Sequence, residues 1–213
     1  MDGEPLELVP SHPYLGVTLA SDMRWSEHCK NISNSATRVL NTVRRTLHPC
    51  APTVKEIAYK ALVRPKLEYS SPAWNPYTKR DVSRIEQVQR NAARFVTGDY
   101  TTQSVSSLIS SLGWKSLEQR RRLASIVFFH KVLHSHLKIN LPRPMSIPSR
   151  NSSHLIQPST RTDTFKYSFY PRSIRLWNML PSELHLIHDT EKFQSICQTA
   201  VYGLSPPPTV LFI

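Results

Sequence analysis

Two long segments carry apolar side chains at the three- and four-residue steps that place them on one face of an α-helix. In the first segment these positions are Trp25, Cys29, Ile32, Ala36, Val39, Leu40, Val43 and Leu47. In the second they are Val82, Ile85, Val88, Ala92, Phe95 and Val96. A helix that is apolar on one face needs another apolar surface to pack on. The pattern therefore predicts helices assembled around a shared core.

The polar faces of the same two helices are basic. The cations on them are Lys30, Arg38 and Arg45 in the first helix and Arg80, Arg84, Arg90 and Arg94 in the second. From Arg24 to Arg94 there are 14 Lys/Arg and 5 Asp/Glu, so +9 of the chain's net charge of +12 lies there. Localised positive charge indicates a polyanionic partner. Cations about one helical turn apart suit a phosphate backbone, so we predict that these seven residues bind nucleic acid. A merely solvated basic face is the alternative.

The segments around these helices are shorter. Leu6–Val9 and Tyr14–Leu19 are apolar and flank a proline-containing turn, which predicts a small β-hairpin. Thr53–Glu56 has the form of a capping box for a further helix, which Pro65 should kink. The apolar stripe expected on that helix consists of Val54, Ile57, Ala58, Ala61 and Leu62.

Beyond Gly98 we predict helices from Thr102 to Ser111 and from Ser116 to Lys138. Arg120, Arg121 and Arg122 are expected at the exposed start of the second one. Phe165, Tyr167 and Phe169 alternate with polar residues, which favours a short extended segment. Asp189 or Thr190 can cap a last helix, with Phe193 and Ile196 inward.

Together these patterns predict a mainly α fold: a helical bundle preceded by a short β-hairpin, with a further C-terminal helical region. The expected division is a hairpin at 1–20, basic helices at 21–98, further helices at 99–140, a linker at 141–164, small helices at 165–203 and a tail at 204–213.

Motifs for catalysis and metal binding are absent from the sequence. There is no GxGxxG, GxxxxGK[ST] or GxSxG, and no two acidic residues are adjacent. His130, His134 and His136 are close together but have no neighbouring carboxylate or cysteine, so we expect core or interface histidines and no metal site. Trp74 and Tyr77 lie between the basic helices. They either stack on a base or, as we favour for Trp74, pack the helix junction.

The three cysteines are widely spaced and form no CxxC pair, which favours reduced thiols in an intracellular protein of the nucleus or cytoplasm. No apolar run approaches the length of a membrane-spanning helix. A membrane partner is therefore not expected.

A series of motifs occurs in a familiar order along the chain. It comprises YLGV (Tyr14–Val17), Trp25 and His28, LVRPKLEY (Leu62–Tyr69), WNP (Trp74–Pro76), IEQVQR (Ile85–Arg90), ARFV (Ala93–Val96), Trp114 with Arg120–Arg122, FYPR (Phe169–Arg172), and Trp177 with Leu180. This series resembles the C-terminal part of the reverse transcriptase of jockey-like non-LTR (LINE-type) retrotransposons, and the match runs to about Gly203.

The resemblance implies a role for two parts of the chain. The hairpin looks like the end of the palm, with Tyr14, Leu15 and Gly16 in the segment that grips the primer. Residues 25–96 look like the thumb, which holds an RNA or RNA/DNA template–primer duplex.

The family's Tyr-x-Asp-Asp sequence does not occur in this chain. The carboxylates that hold Mg²⁺ would belong to a missing palm, so the resemblance implies a fragment that catalyses nothing alone and carries no cofactor. Two alternatives stay open. The chain is a helical protein-interaction scaffold with no nucleic-acid role, or it completes an active polymerase together with separate palm and fingers.

Overall fold

The computed structural model describes residues 9–101, 104–134, 137 and 154–203, the last four as backbone only. This part of the chain is mainly α-helical with one two-stranded hairpin, which confirms the predicted fold class. The strands are β1 (Ser11–Tyr14) and β2 (Val17–Ala20). The helices are α1 (Ser26–Leu47), α2 (Pro52–Ala58), α3 (Arg64–Glu68), α4 (Ser71–Trp74), α5 (Lys79–Thr97), α6 (Val105–Ser111), α7 (Leu117–Leu133), α8 (Asp163–Lys166), α9 (Phe169–Asn178) and α10 (Thr190–Gly203). A π-helical segment (Tyr59–Val63) joins α2 to α3, and a 3₁₀ turn (Ser182–Leu186) lies between α9 and α10.

The predicted hairpin exists, but its turn lies at Leu15 and Gly16 and not at the predicted proline-containing segment, which includes part of β1. The chain reverses at Leu15 and Gly16, both at positive φ (46° and 80°), and Tyr14 pairs with Val17. Such a two-residue turn matches the twist of the strands that it joins. A side chain at Gly16 would bring its Cβ within 3.2 Å of the Tyr69 ring, so glycine is needed on both counts. Leu6 and its neighbours lie outside the described residues.

Helices α1 and α5 form the centre of the first hydrophobic cluster and run parallel. At their N-terminal ends the Ser26 hydroxyl donates to Asp81 at 2.6 Å, and at the other end Arg44, in the last turn of α1, donates to the hydroxyl of Tyr100, which follows α5, at 3.3 Å. Buried side chains from both helices fill the space between them: Cys29, Ala36, Leu40, Val43, Ile85, Val88, Ala92, Phe95 and Val96. Gly98 ends α5 at a φ of 71° as a left-handed C-cap.

The segment from α2 to α3 differs from its prediction. It begins at Pro52 with no side-chain cap, so the capping box is wrong. Ile57 and Leu62 are exposed, while Tyr59, Val63 and Leu67 are buried. The π-helical turn ahead of Pro65 rotates the later residues relative to an ideal α-helix and so changes which face is buried. Pro65 is accommodated within a continuous helical stretch, as predicted.

A second hydrophobic cluster is built from α7, α9, the 3₁₀ turn and α10. A capping box of Ser116 and Gln119 begins α7. The buried members include Ile126, Phe129, Ile174, Trp177, Leu184, Phe193 and Cys197. Ile196 is exposed, against expectation. The predicted extended segment is also wrong, since Phe165 lies in α8 and Phe169 begins α9.

Arginines join the two clusters. Arg121 is fully buried and donates from Nε to Asn75 Oδ1 at 3.0 Å. Arg172 donates to the carbonyl oxygens of Pro72 (2.6 Å) and Asn75 (3.2 Å). Arg121 and Arg122 are buried rather than exposed, because α7 enters between the clusters instead of lying on the surface. The prediction of an exposed basic start to α7 is therefore wrong.

Stability should fall in mild acid because of His28. This side chain is buried and its Nδ1 accepts the Thr18 N–H at 3.1 Å. Burial lowers its pKa from the ordinary 6.5 to about 4. The unfolded chain therefore binds the extra proton first as the pH falls, and between pH 7 and 4.5 this group alone should remove about 2–3 kcal/mol from the free energy of unfolding.

Urea unfolding at the two pH values measures this loss. In His28→Gln the free energy of unfolding should fall less between the two pH values, because the contribution of His28 is gone. His12→Gln, which replaces an exposed histidine of β1, should keep the wild-type contribution of His28. Equal pH dependence in wild type and His28→Gln would contradict the assignment.

Candidate nucleic-acid interface

The outer face of α1 carries three of the predicted cations. Lys30, Arg38 and Arg45 are all exposed on the side opposite the core. The single acidic residue of this helix is Glu27 in its first turn, which accepts a hydrogen bond from Ser11 at 3.0 Å. Beyond this first turn the exposed face of α1 therefore bears no negative charge.

The outer face of α5 carries the other four predicted cations. Arg80 and Arg90 are exposed, and Arg84 and Arg94 are half-buried. Arg80 and Arg84 each lie 3.9 Å from the buried Asp81 carboxylate, which also accepts hydrogen bonds from the Ser26 and Thr78 hydroxyls. The Arg80 side chain is 73% exposed, so its ion pair is weak and its guanidinium group stays available to an external phosphate, whereas the half-buried Arg84 also balances the buried carboxylate.

The exposed faces of both helices are basic. Helices α1 and α5 run parallel, and each buries its inner face in the first hydrophobic cluster, so each directs its cations away from the shared core. We call these two outer faces together the basic face, made of Lys30, Arg38, Arg45, Arg80, Arg84, Arg90 and Arg94. The cations along each helix recur at intervals of one to two turns, so each helix presents a row of charges and not an isolated one.

The hairpin lies against α1. Asn31 of α1 contacts the Thr18 hydroxyl, and His28 contacts the Thr18 backbone. At the tip of the hairpin, Tyr14 and Leu15 are exposed. The primer-grip-like residues Tyr14, Leu15 and Gly16 are thus next to the helix that carries part of the basic face.

The aromatic side chains between the helices are used internally. Trp74 is fully buried, and its Nε1–H donates to the Tyr69 carbonyl at 2.7 Å. Tyr77 stacks on Tyr167 with ring centroids 4.3 Å apart. The interpretation that Trp74 packs the helix junction is confirmed, because none of its surface is open to a base.

Two basic residues that the sequence analysis missed face α5 from the second cluster. Arg172 and Arg175 line a cavity of about 590 Å³ between α5, α6, α7 and α9, and Arg90 lines the same cavity from the opposite wall. Burial, with the nearby charges of Arg121 and Arg175, lowers the pKa of Arg172 to about 10. In the sequence, Arg172 belongs to the FYPR motif. Helical periodicity cannot show, however, that residues of α9 lie near α5, which is distant in the chain.

The described residues contain no group of three His, Cys, Asp or Glu side chains arranged to hold a metal ion. His130 is buried, and its Nε2 lies 2.6 Å from the Ile187 carbonyl oxygen. Burial raises the pKa of the Cys29 and Cys197 thiols to about 12, so both stay protonated near neutral pH. His136 lies outside the described part of the chain.

No helix in the described ranges is long and apolar enough to cross a bilayer. The chain matches no protein-family model, no curated protein sequence and no solved structure.

Proposed function

We propose that the chain binds the phosphate backbone of an RNA or RNA/DNA template–primer duplex through the basic face, as the thumb and following region of a LINE-type reverse transcriptase. The observation that supports this most is the row of exposed or half-buried cations on the outer face of each of the helices α1 and α5. Binding of this kind is independent of base sequence. We further propose that the chain alone catalyses no polymerisation, since its sequence contains no Tyr-x-Asp-Asp.

Salt dependence tests the proposal. The logarithm of the association constant for a template–primer hybrid should fall linearly with the logarithm of the salt concentration. Replacing Arg38 and Arg80, one exposed cation on each helix, with alanine should reduce the magnitude of that slope by about 1.5–2 if both contact phosphates. Fluorescence anisotropy with a labelled hybrid, over a series of salt concentrations, measures the slope.

The matched control is Arg161→Ala with Lys192→Ala. It removes the same charge from exposed positions in the C-terminal part of the chain, outside the basic face. This variant should keep the wild-type slope to within about 0.5. A flat slope for the wild type, or an equal reduction in both double variants, would show that the basic face is not the binding surface.

A protein-binding scaffold is the second candidate, and one observation favours it. Near the hairpin, Tyr14, Leu15, Met23 and Tyr69 are exposed apolar or aromatic side chains, and Leu15 has 76% of its surface open to solvent. Exposed apolar and aromatic side chains grouped in one region are typical of an interface with another polypeptide. Binding of a palm polypeptide there is compatible with the first proposal, whereas a scaffold role alone predicts a flat salt slope with nucleic acid.

A further inference from the structure

The cavity between α5, α6, α7 and α9 is a second basic site, distinct from the basic face. Its volume of about 590 Å³ lies within the usual size of small-molecule sites, about 300–1,000 Å³. Arg90 on α5 and Arg175 on α9 line opposite walls, and Lys79 lies at the start of α5. The cavity thus gathers cations from both hydrophobic clusters.

The two carboxylates in this cavity are already engaged. Glu86 accepts the backbone N–H groups of Glu118 (2.7 Å) and Leu117 (3.3 Å) at the start of α7. Glu118 pairs with Arg122 at 2.5 Å. Within the described ranges, no carboxylate forms an ion pair with Arg90 or Arg175. The cavity therefore keeps an excess of positive charge that an anion can neutralise.

Part of that charge is held in place before any ligand arrives. The guanidinium group of Arg172 is fixed by the carbonyl oxygens of Pro72, Asn75 and Tyr167. Arg175 donates from Nη2 to the Lys166 carbonyl at 3.0 Å, and its buried Nε has no hydrogen-bond partner. Two positive charges bonded only to neutral carbonyls favour a bound anion, and guanidinium groups suit phosphate in particular.

Part of the remaining wall is apolar. Trp114, Ile109 and Met179 line the cavity, and Met179 is exposed, with 38% of its surface open. The Trp114 ring is held by stacking on Tyr59 (4.6 Å between centroids) and by donation from Nε1 to Glu56 at 2.8 Å. A rigid aromatic wall beside a cationic wall matches a ligand with a flat apolar part and a phosphate.

We propose that this cavity binds a nucleoside phosphate, either free or within a single strand, with the phosphate at Arg90 and Arg175 and the base against Trp114 and Met179. The proposal does not depend on duplex binding, because of these four residues only Arg90 also belongs to the basic face. The two proposals can therefore fail separately.

Calorimetry on the full 213-residue chain with adenosine 5′-monophosphate and with adenosine tests the proposal. The monophosphate should bind, and adenosine should bind at least about tenfold more weakly, because it lacks the charge that the arginines neutralise. Equal affinity for both compounds, or no binding of the monophosphate, would overturn the proposal.

A matched pair of variants on α6 locates the site. Ser106 and Ser107 are both exposed in the first turn of that helix, but only Ser106 lines the cavity. Ser106→Asp should weaken binding of the monophosphate at least about fivefold by charge repulsion, and Ser107→Asp by less than about twofold. In a second pair, Arg90→Ala should weaken binding of the monophosphate at least about fivefold, and Arg80→Ala by less than about twofold. Equal effects within both pairs would overturn the assignment to this cavity.

Competition identifies the source of the phosphate. A single-stranded oligonucleotide that displaces the bound monophosphate shows that the cavity accepts a strand, whereas failure to displace it shows that the cavity takes free nucleotides. Either result is consistent with the shared chemistry of the ligand. Duplex binding measured on Ser106→Asp should keep its salt slope, which separates this site from the basic face.

Discussion

Replacing Arg121 with alanine is expected to lower the free energy of unfolding by about 3–5 kcal/mol. The side chain is fully buried between the two hydrophobic clusters and holds Asn75 through Nε. Its charge also offsets burial at Glu86, whose pKa is raised by burial and lowered by Arg121. Alanine would leave a cavity, an unpaired Asn75 side chain and a less compensated carboxylate.

Arg121→Met separates charge from volume. Nη1 and Nη2 of Arg121 have no hydrogen-bond partner, so methionine removes two unsatisfied donors while keeping most of the volume. The expected loss at acidic pH is below about 1.5 kcal/mol. Without the cation, the pKa of Glu86 in the folded chain rises further above its unfolded value.

That pKa change gives the Arg121→Met variant a signature in its pH dependence. In this variant the Glu86 carboxyl group binds a proton more tightly in the folded than in the unfolded state. The free energy of unfolding therefore falls as the pH rises through the pKa of Glu86 in the folded state. Chemical denaturation should show a larger destabilisation of Arg121→Met relative to wild type near pH 7 than near pH 5. A loss below about 1 kcal/mol for Arg121→Ala would contradict the structural role of this arginine.

Trp74→Ala should be comparably destabilising, by about 3–5 kcal/mol. The indole is fully buried, donates to the Tyr69 carbonyl and packs edge-on against His28 with centroids 4.8 Å apart. Urea or thermal unfolding measures the loss. If this variant does not fold, Trp74→Phe, which keeps the aromatic ring but removes the donor, should fold with a loss of about 1–2 kcal/mol.

Tyr14→Ala is the matched control for Trp74. Tyr14 is an aromatic residue with 61% of its surface exposed, so its loss should change stability by no more than about 0.5 kcal/mol. Similar losses at the two positions would contradict the packing described for Trp74.

The central helices were predictable from sequence because each has one apolar and one polar face. The observed bounds of α1 and α5 lie within three residues of the first and last apolar positions of the two patterns, and Gly98 ends α5 as a left-handed cap. The exposure of Lys30, Arg38, Arg45, Arg80 and Arg90 follows from the same periodicity. What periodicity alone cannot give is the parallel direction of the two helices, which follows from contacts such as that of Ser26 with Asp81.

The wrong predictions share a physical cause, which is that contacts distant in sequence override local pattern. Tyr59 is buried by its hydrogen bond to Gln89 and its stacking on Trp114, neither of which can be read from residues 52–68. Phe165 and Phe169 alternate like a strand, but in the described residues β1 and β2 pair only with each other, so no strand partner lies beside them. The local sequence predicts an exposed Arg121, and only its proximity to Asn75 and Glu86, both distant in the chain, explains its burial.

The parallel pairing of α1 and α5 has a consequence for synthesis on the ribosome. The bond from Ser26 to Asp81 joins residues 55 positions apart, so α1 leaves the exit tunnel long before its partner has been made. Throughout that interval its apolar stripe has no α5 to cover it. Newly made α1 therefore exposes an apolar stripe that chaperones can bind, and folding of the first cluster, which includes Leu117, cannot finish until translation has passed that residue.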